Sequence, residues 1–190
     1  MATSSRKTAQ PSRAGRSSAV QAEIRQSRPF RSAAQEATVA LMRTASLLGR
    51  VMERMVEPHG LSLAQYNALR IVRGAGTGGI PTLAIRERMI AEGTTITRLL
   101  DKLEEAGLIR RERALPDRRQ VFCIATDAGR TLLDELDPQV DDLDEELVGM
   151  LDAEQLDQLI AMLDQIRVGN AERGAPRSAA ATSTAPAGRG

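Results

Sequence analysis

The chain has 190 residues, 42% of them hydrophobic but only 2% aromatic, and a formal net charge of +1. That length and apolar content supply one core with tails, and a core of Leu, Ile, Val, Met and Ala favours helices over sheets. A single cysteine, Cys123, excludes a disulfide framework and suits a reducing cytoplasm. No apolar run of about 18 residues marks a membrane span, and the N-terminus lacks the apolar region of a secretory signal.

The near-neutral total hides segregation. Residues 1–33 carry seven basic and one acidic side chain, residues 131–168 one basic and twelve acidic. Of the ten basic residues in 86–130, five fall between Arg110 and Arg119. Such asymmetry is compatible with a nucleic-acid surface at one end of the molecule.

Residues 1–32 are rich in Ser, Ala and Arg without periodicity and read as a disordered basic tail. Leu41, Leu48 and Met55 then recur every seven residues, predicting a helix over Ser32–Val56 that Pro58-His59-Gly60 stops. Ser62 and Gln65 form a capping box, with Leu61 placed to staple onto Tyr66, so a second helix runs to Arg73. GAGTGGIP reads as a loop, after which Thr82 is expected to cap a short helix over Leu83–Ile90.

A turn at Glu92-Gly93 leads to a helix over Thr94–Ala106. Its apolar stripe is Ile96, Leu99, Leu100 and Leu103, with Thr94, Thr95, Thr97, Arg98, Asp101, Lys102 and Glu105 on the opposite arc. Gly107 suits the helix end. LIRRERA and QVFCIAT read as two strands joined by a turn at Leu115-Pro116-Asp117-Arg118. Thr126 is expected to cap a long helix to Met150, with Leu133, Val140 and Leu147, and Leu136, Leu143 and Met150, repeating by seven in a seam interrupted at Pro138. Asp152 and Gln155 cap a last helix carrying Leu156, Leu159, Ile160, Leu163 and Ile166 on one face. From Gly169 the composition is again low in complexity, and 169–190 reads as a disordered tail.

The expected fold is therefore mainly α: a winged helix-turn-helix with a two-stranded β wing, flanked by N- and C-terminal helices. The seams at both ends exceed what a small domain needs and point to a second copy as partner. A recognition helix needs a greasy seat and a polar face with small residues near its N-terminus. Thr94, Thr95 and Thr97 supply short donors and acceptors there, and Arg98 and Lys102 add charge. Arg118 and Arg119 at the hairpin tip have the reach to enter a minor groove, with Asp117 as a brace that orients an arginine.

The stretch DKLEEAGLIRRERALPDRRQVFCIATDAGR resembles the signature region of the MarR family of winged-helix transcription regulators. It carries a Leu-Glu-x-x-Gly-Leu-like helix end, a basic strand, an Asp-x-Arg wing tip at Asp117 and Arg119, and the start of the next helix. The chain departs from the pattern at Ala125, where Leu is usual, and at IRERM in the short helix; neither change removes a phosphate contact. The resemblance spans roughly residues 35–168. It implies a cytoplasmic homodimer that binds double-stranded DNA at a near-palindromic operator, as a repressor relieved by a small lipophilic or phenolic effector. The domain expected is 33–168, with dimerisation helices at 33–57 and 127–168 around a DNA-binding core at 61–125. His59 and Tyr66 lie near the junction of the first two helices, where the family's effector cleft falls.

Other readings stand beside these. Arg110, Arg111 and Arg113 alternate along a strand, so some face away from any DNA. Cys123 is a small apolar strand filler, His59 a helix-end residue, and the acidic run 141–146 a solvated helix face. One His, one Cys and no phosphate loop leave no catalytic constellation, no metal site and no cofactor. The alternative to a DNA-binding regulator is a protein-interaction module that keeps the winged-helix fold without binding DNA.

Overall fold

The computed structural model describes residues 18–90, 95–113 and 120–174. The chain divides into two units, Met1–Pro138 and Gln139–Gly190.

The first unit begins with a short helix that composition alone conceals. In α1 (Ala19–Glu23) the Ser18 hydroxyl accepts the N–H of Gln21 at 3.3 Å, and Glu23 pairs with Arg43 at 2.7 Å. Part of the segment expected to be disordered is thus held on the following helix. In α2 (Ala33–Val56) the Ser32 hydroxyl accepts from Gln35 N–H, and the Gln35 side chain accepts from Arg31 N–H. The Ser32 cap satisfies one of the orphan donors that every helix start leaves. Only Val56 of this 24-residue helix is buried.

A 3₁₀ turn at Glu57–His59 ends at Gly60, and the expected capping box follows. Gln65 N–H donates to Ser62 Oγ at 3.2 Å, and Ser62 N–H to Gln65 Oε1 at 2.9 Å. It opens α3 (Leu63–Gly74), whose Tyr66, Ala68, Leu69 and Val72 are buried. Leu61, beside the cap, is buried too.

GAGTGGIP is not simply a loop. It holds a 3₁₀ turn at Gly76–Gly78 and a two-residue strand, β1 (Ile80–Pro81), that pairs antiparallel with the wing. Gly79 between them has φ 69°, and a Cβ there would lie 2.7 Å from the Cys123 carbonyl oxygen. Only glycine permits that approach. Thr82 does not cap the next helix, α4 (Thr82–Arg88). Pro81 takes the cap position, and the Thr82 hydroxyl turns to the Val121 carbonyl at 3.5 Å. Proline's fixed φ suits it to the edge of the sheet and the start of a helix together.

In α5 (Ile96–Glu105), Leu99, Leu100 and Leu103 are buried and Ile96 partly so. The helix closes on Gly107 at φ 70°, with Gly107 N–H on Glu104 O and Leu108 N–H on Leu103 O. This is the paired-bond ending that a left-handed residue permits. The wing strands β2 (Ile109–Arg113) and β3 (Val121–Ala125) pair antiparallel, with Arg111 opposite Cys123. The sheet order is β1-β3-β2, three strands where two were expected. Thr126 then does what its position predicts. Its hydroxyl accepts Gly129 N–H at 3.1 Å and donates to Gly107 O at 2.6 Å, tying the end of α5 to the start of α6 (Asp127–Val148).

Pro138 lies inside α6, and the helix runs through it. Before it, Leu133 and Leu136 are fully buried. In the second unit Val140 is still buried, Leu143 and Leu147 are half-buried, and Met150 is 74% exposed. The last helix, α7 (Ala153–Gly174), starts at a reciprocal Asp152–Gln155 cap and runs past Gly169, where composition had suggested a tail. Of its apolar face, Leu156, Leu159 and Leu163 are half-buried and Ile160 and Ile166 exposed.

Candidate nucleic-acid interface

The residues proposed for DNA fall into two groups along the sequence, those at or just before α5 and those between β2 and β3. Thr94 lies outside the described residues, as do Asp117, Arg118 and Arg119. Thr95 occupies the N-cap position of α5 in extended conformation, and its side chain makes no capping bond. It is exposed, as are Thr97, Arg98 and Lys102. Neither Arg98 nor Lys102 forms an ion pair among the described residues. One helix therefore seats three leucines on one side and turns hydroxyls and two cations outward on the other. Cations left without carboxylate partners on an exposed arc keep their charge available to a polyanion.

The strand arginines behave differently from one another. Arg110 pairs with Glu112 on the outer face of β2, and Arg113 is exposed. Arg111 shares the inner face with Ile109 and reaches Asp101 of α5, Nη1 to Oδ1 at 2.7 Å, and Glu104 at 3.6 Å. Its own N–H donates to Glu104 Oε1 at 3.1 Å. Partial burial works against its charge, but the hydrogen bond and charge of Asp101 and then Glu104 outweigh this and raise its pKa. Asp101, placed by periodicity on the solvent arc, is thus engaged with the wing. The sequence did hold a signal: Asp101 and Glu104 lie three apart on a helix, and Arg111 lies two from the buried Ile109.

His59 is partly exposed in its 3₁₀ turn, while Tyr66 is buried. The Arg70 guanidinium lies 5.6 Å from the Tyr66 ring centre. Burial raises the pKa of that phenol, against the opposing charge of Arg70. A cavity of about 370 Å³ opens elsewhere, at the foot of the wing between Thr82, Arg86, Ile96 and Val121. Cys123 is fully buried beside Thr82, and burial pushes its thiol pKa up, so the thiolate that oxidation chemistry needs is disfavoured. Among the described residues no helix is long and apolar enough to cross a membrane, and no cluster of three or more His, Cys, Asp or Glu side chains is placed to hold a metal ion.

Three short helices, the third apolar beneath and polar above, followed by a β wing, define a winged helix-turn-helix of the kind that transcription regulators use. The model of the MarR family matches residues 61–121. The transcriptional regulator HosA of Escherichia coli is 34% identical over 95 residues, which cover 50% of this chain and 69% of that protein. The HTH-type transcriptional regulator TtmR of Methylorubrum extorquens is 32% identical over 129 residues, 67% of this chain but only 62% of TtmR. A MarR transcription factor from Planctomyces limnophilus, solved by crystallography, is 36% identical with a TM-score of 0.55, covering 72% of this chain and 98% of that one. Two structures at 23% identity share the fold. The DNA complex of Staphylococcus aureus MepR has a TM-score of 0.63 and covers 68% of this chain and 96% of MepR. Rhodococcus jostii CouR bound to p-coumaroyl-CoA has a TM-score of 0.62 and covers 72% of this chain and 95% of CouR. The chain belongs to the MarR family. It is a winged-helix transcription regulator, not an enzyme.

Proposed function

We propose that the protein is a homodimeric, sequence-specific repressor that binds a near-palindromic duplex operator and is released from it by a small lipophilic or phenolic effector. The observation that carries the reading is the outward face of α5, where Thr95, Thr97, Arg98 and Lys102 are exposed together and both cations lack carboxylate partners among the described residues. We assign Thr94 the same role, as a reader of bases or backbone. Arg118 and Arg119 enter the minor groove from the wing tip, braced by Asp117. MepR, whose fold this chain shares, has been solved on DNA.

The dimer reading rests on the flanking helices at 33–57 and 127–168. These leave Leu41, Met42, Leu47, Ile160 and Ile166 exposed in a single chain, and a second copy would cover such rows. The core at 61–125 then presents one recognition helix per protomer, and two copies read two half-sites. For the effector, CouR offers the parallel of a bound ligand. Here His59 and the buried hydroxyl of Tyr66 are the groups that would meet a polar ring substituent.

The test is selection of binding sequences from a random duplex library with the full chain. An enriched inverted repeat is expected, and no enrichment refutes the reading in favour of a protein-interaction module. On the recovered operator, Arg98→Ala should cost about 1–3 kcal/mol and relax preference at one base position per half-site. Arg119→Ala should weaken all sequences alike and flatten the salt dependence by roughly one unit of slope for each phosphate it no longer neutralises. Titrations on operator and scrambled duplex at several salt concentrations separate the two.

A further inference from the structure

Asp101 and Glu104 put two carboxylates on the helix proposed to approach a polyanion. Electrostatics alone disfavours them there. Their surroundings give a reason for their presence. Thr97, Asp101 and Glu104 follow one another at i, i+4 and i+7, a single stripe along α5, and all three meet Arg111. Arg111 Nη1 reaches Asp101 at 2.7 Å and Glu104 at 3.6 Å, and Nη2 reaches the Thr97 carbonyl oxygen at 3.4 Å. The main-chain N–H of Arg111 donates to Glu104 at 3.1 Å. Because β2 is an edge strand of the sheet, a helix side chain here satisfies a donor that no neighbouring strand among the described residues covers.

The rest of the seat is Leu99, Leu100 and Leu103. Apolar contact is non-directional, so a leucine stripe alone leaves a helix free to rock about its axis. A guanidinium fork fixes direction as well as distance.

We propose that Arg111 is a positioning residue for recognition: by holding Thr97, Asp101 and Glu104 it locks the rotation of α5 against the wing, and so sets which bases the outward face meets. This rests on the DNA-binding reading above. Arg111 is spent on the helix and does not serve as a phosphate ligand.

The decisive variant is Asp101→Asn in the full chain, measured on the selected operator and on a scrambled duplex of the same length. It removes a negative charge from the helix, so electrostatics alone makes DNA binding tighter. Positioning makes operator binding weaker, by about ten-fold given the coupling energies of contacting residues, with the scrambled duplex unaffected or bound more tightly. Arg111→Ala should lose the same discrimination without flattening the salt slope, whereas removing a phosphate ligand flattens it by about 0.9. The double variant should discriminate no worse than Arg111→Ala, and Arg111→Lys, which keeps the charge without the fork, should fall between. Circular dichroism and melting confirm that each variant is folded. If Asp101→Asn binds operator as tightly as wild type or tighter, or loses operator and scrambled duplex equally, the inference is overturned and the DNA-binding reading stands. If the wild type enriches no sequence, both fall.

Discussion

Two helices and one make an instructive contrast. The 24-residue α2 and the 22-residue α7 show one buried residue between them among the described side chains, Val56. The ten-residue α5 buries three. All three carry apolar residues at helical spacing, so pattern alone does not separate them. The difference is what each pattern has to pack against. The stripe of α5 meets α3 and the wing within its own unit, whereas α2 and α7 keep much of their apolar surface in solvent. A stripe closed within the chain is core, and a stripe left open is the surface on which the proposed dimer rests.

The contrast is broken most severely from the core side. Leu100→Ala, at a fully buried position, should destabilise the fold by about 2–5 kcal/mol through reduced burial and the cavity left behind. Chemical denaturation measures it, and a much smaller loss would mean that α5 is not seated as described. From the open side, if the proposed dimer forms through these helices, Ile160→Glu with Ile166→Glu should leave the winged-helix core folded and lower the mass in solution from that of two chains to that of one. Each apolar side chain withdrawn from an interface forfeits roughly 1.5–3 kcal/mol, and the new charges add a desolvation cost. Light scattering reads the mass and circular dichroism the fold; a persistent dimer would remove α7 from the interface.

The smallest effect concerns Tyr66, the chain's single tyrosine, in a chain without tryptophan. Its phenol is shifted upward by burial, so the folded state holds the proton more tightly than the unfolded chain does. Its contribution to stability is complete below the ordinary value of 10.0 and is lost as pH rises through the folded value. Phenolate absorbance should therefore appear late in an alkaline titration of the folded protein, and at the ordinary pH in denaturant. Coincident curves would place Tyr66 outside the core.

Much of this architecture is legible in the residues, and the gaps have physical causes. The caps at Ser62, Thr126 and Asp152 are local chemistry, written within three residues, and so is the ending at Gly107; Ser32, read as the first residue of its helix, is instead its cap. β1 is not, because a strand of two residues has no alternation to display, and Pro81 argues against a strand until the sheet edge is seen. Thr82 resembles a cap, yet the Val121 carbonyl across the sheet takes its hydroxyl, a partner 39 residues away. Past Gly169 composition reads as a tail while α7 continues to Gly174. For the candidate site, the outward cations of α5 follow from periodicity. The particular partners of Arg111 do not, since strand alternation shows that some of Arg110, Arg111 and Arg113 face away from any DNA but not that Arg111 meets Asp101 and Glu104.

The division of labour around α5 also bears on how such a protein diversifies. Its leucines, its glycine ending and its arginine clamp lie on the seated side, while Thr95, Thr97, Arg98 and Lys102 contribute exposed side chains that the fold does not need. Substitutions at such surface positions usually shift stability by no more than about 0.5 kcal/mol. On the proposed reading, those four side chains can be exchanged, and with them what the helix would read, without first requiring a compensating change in the core.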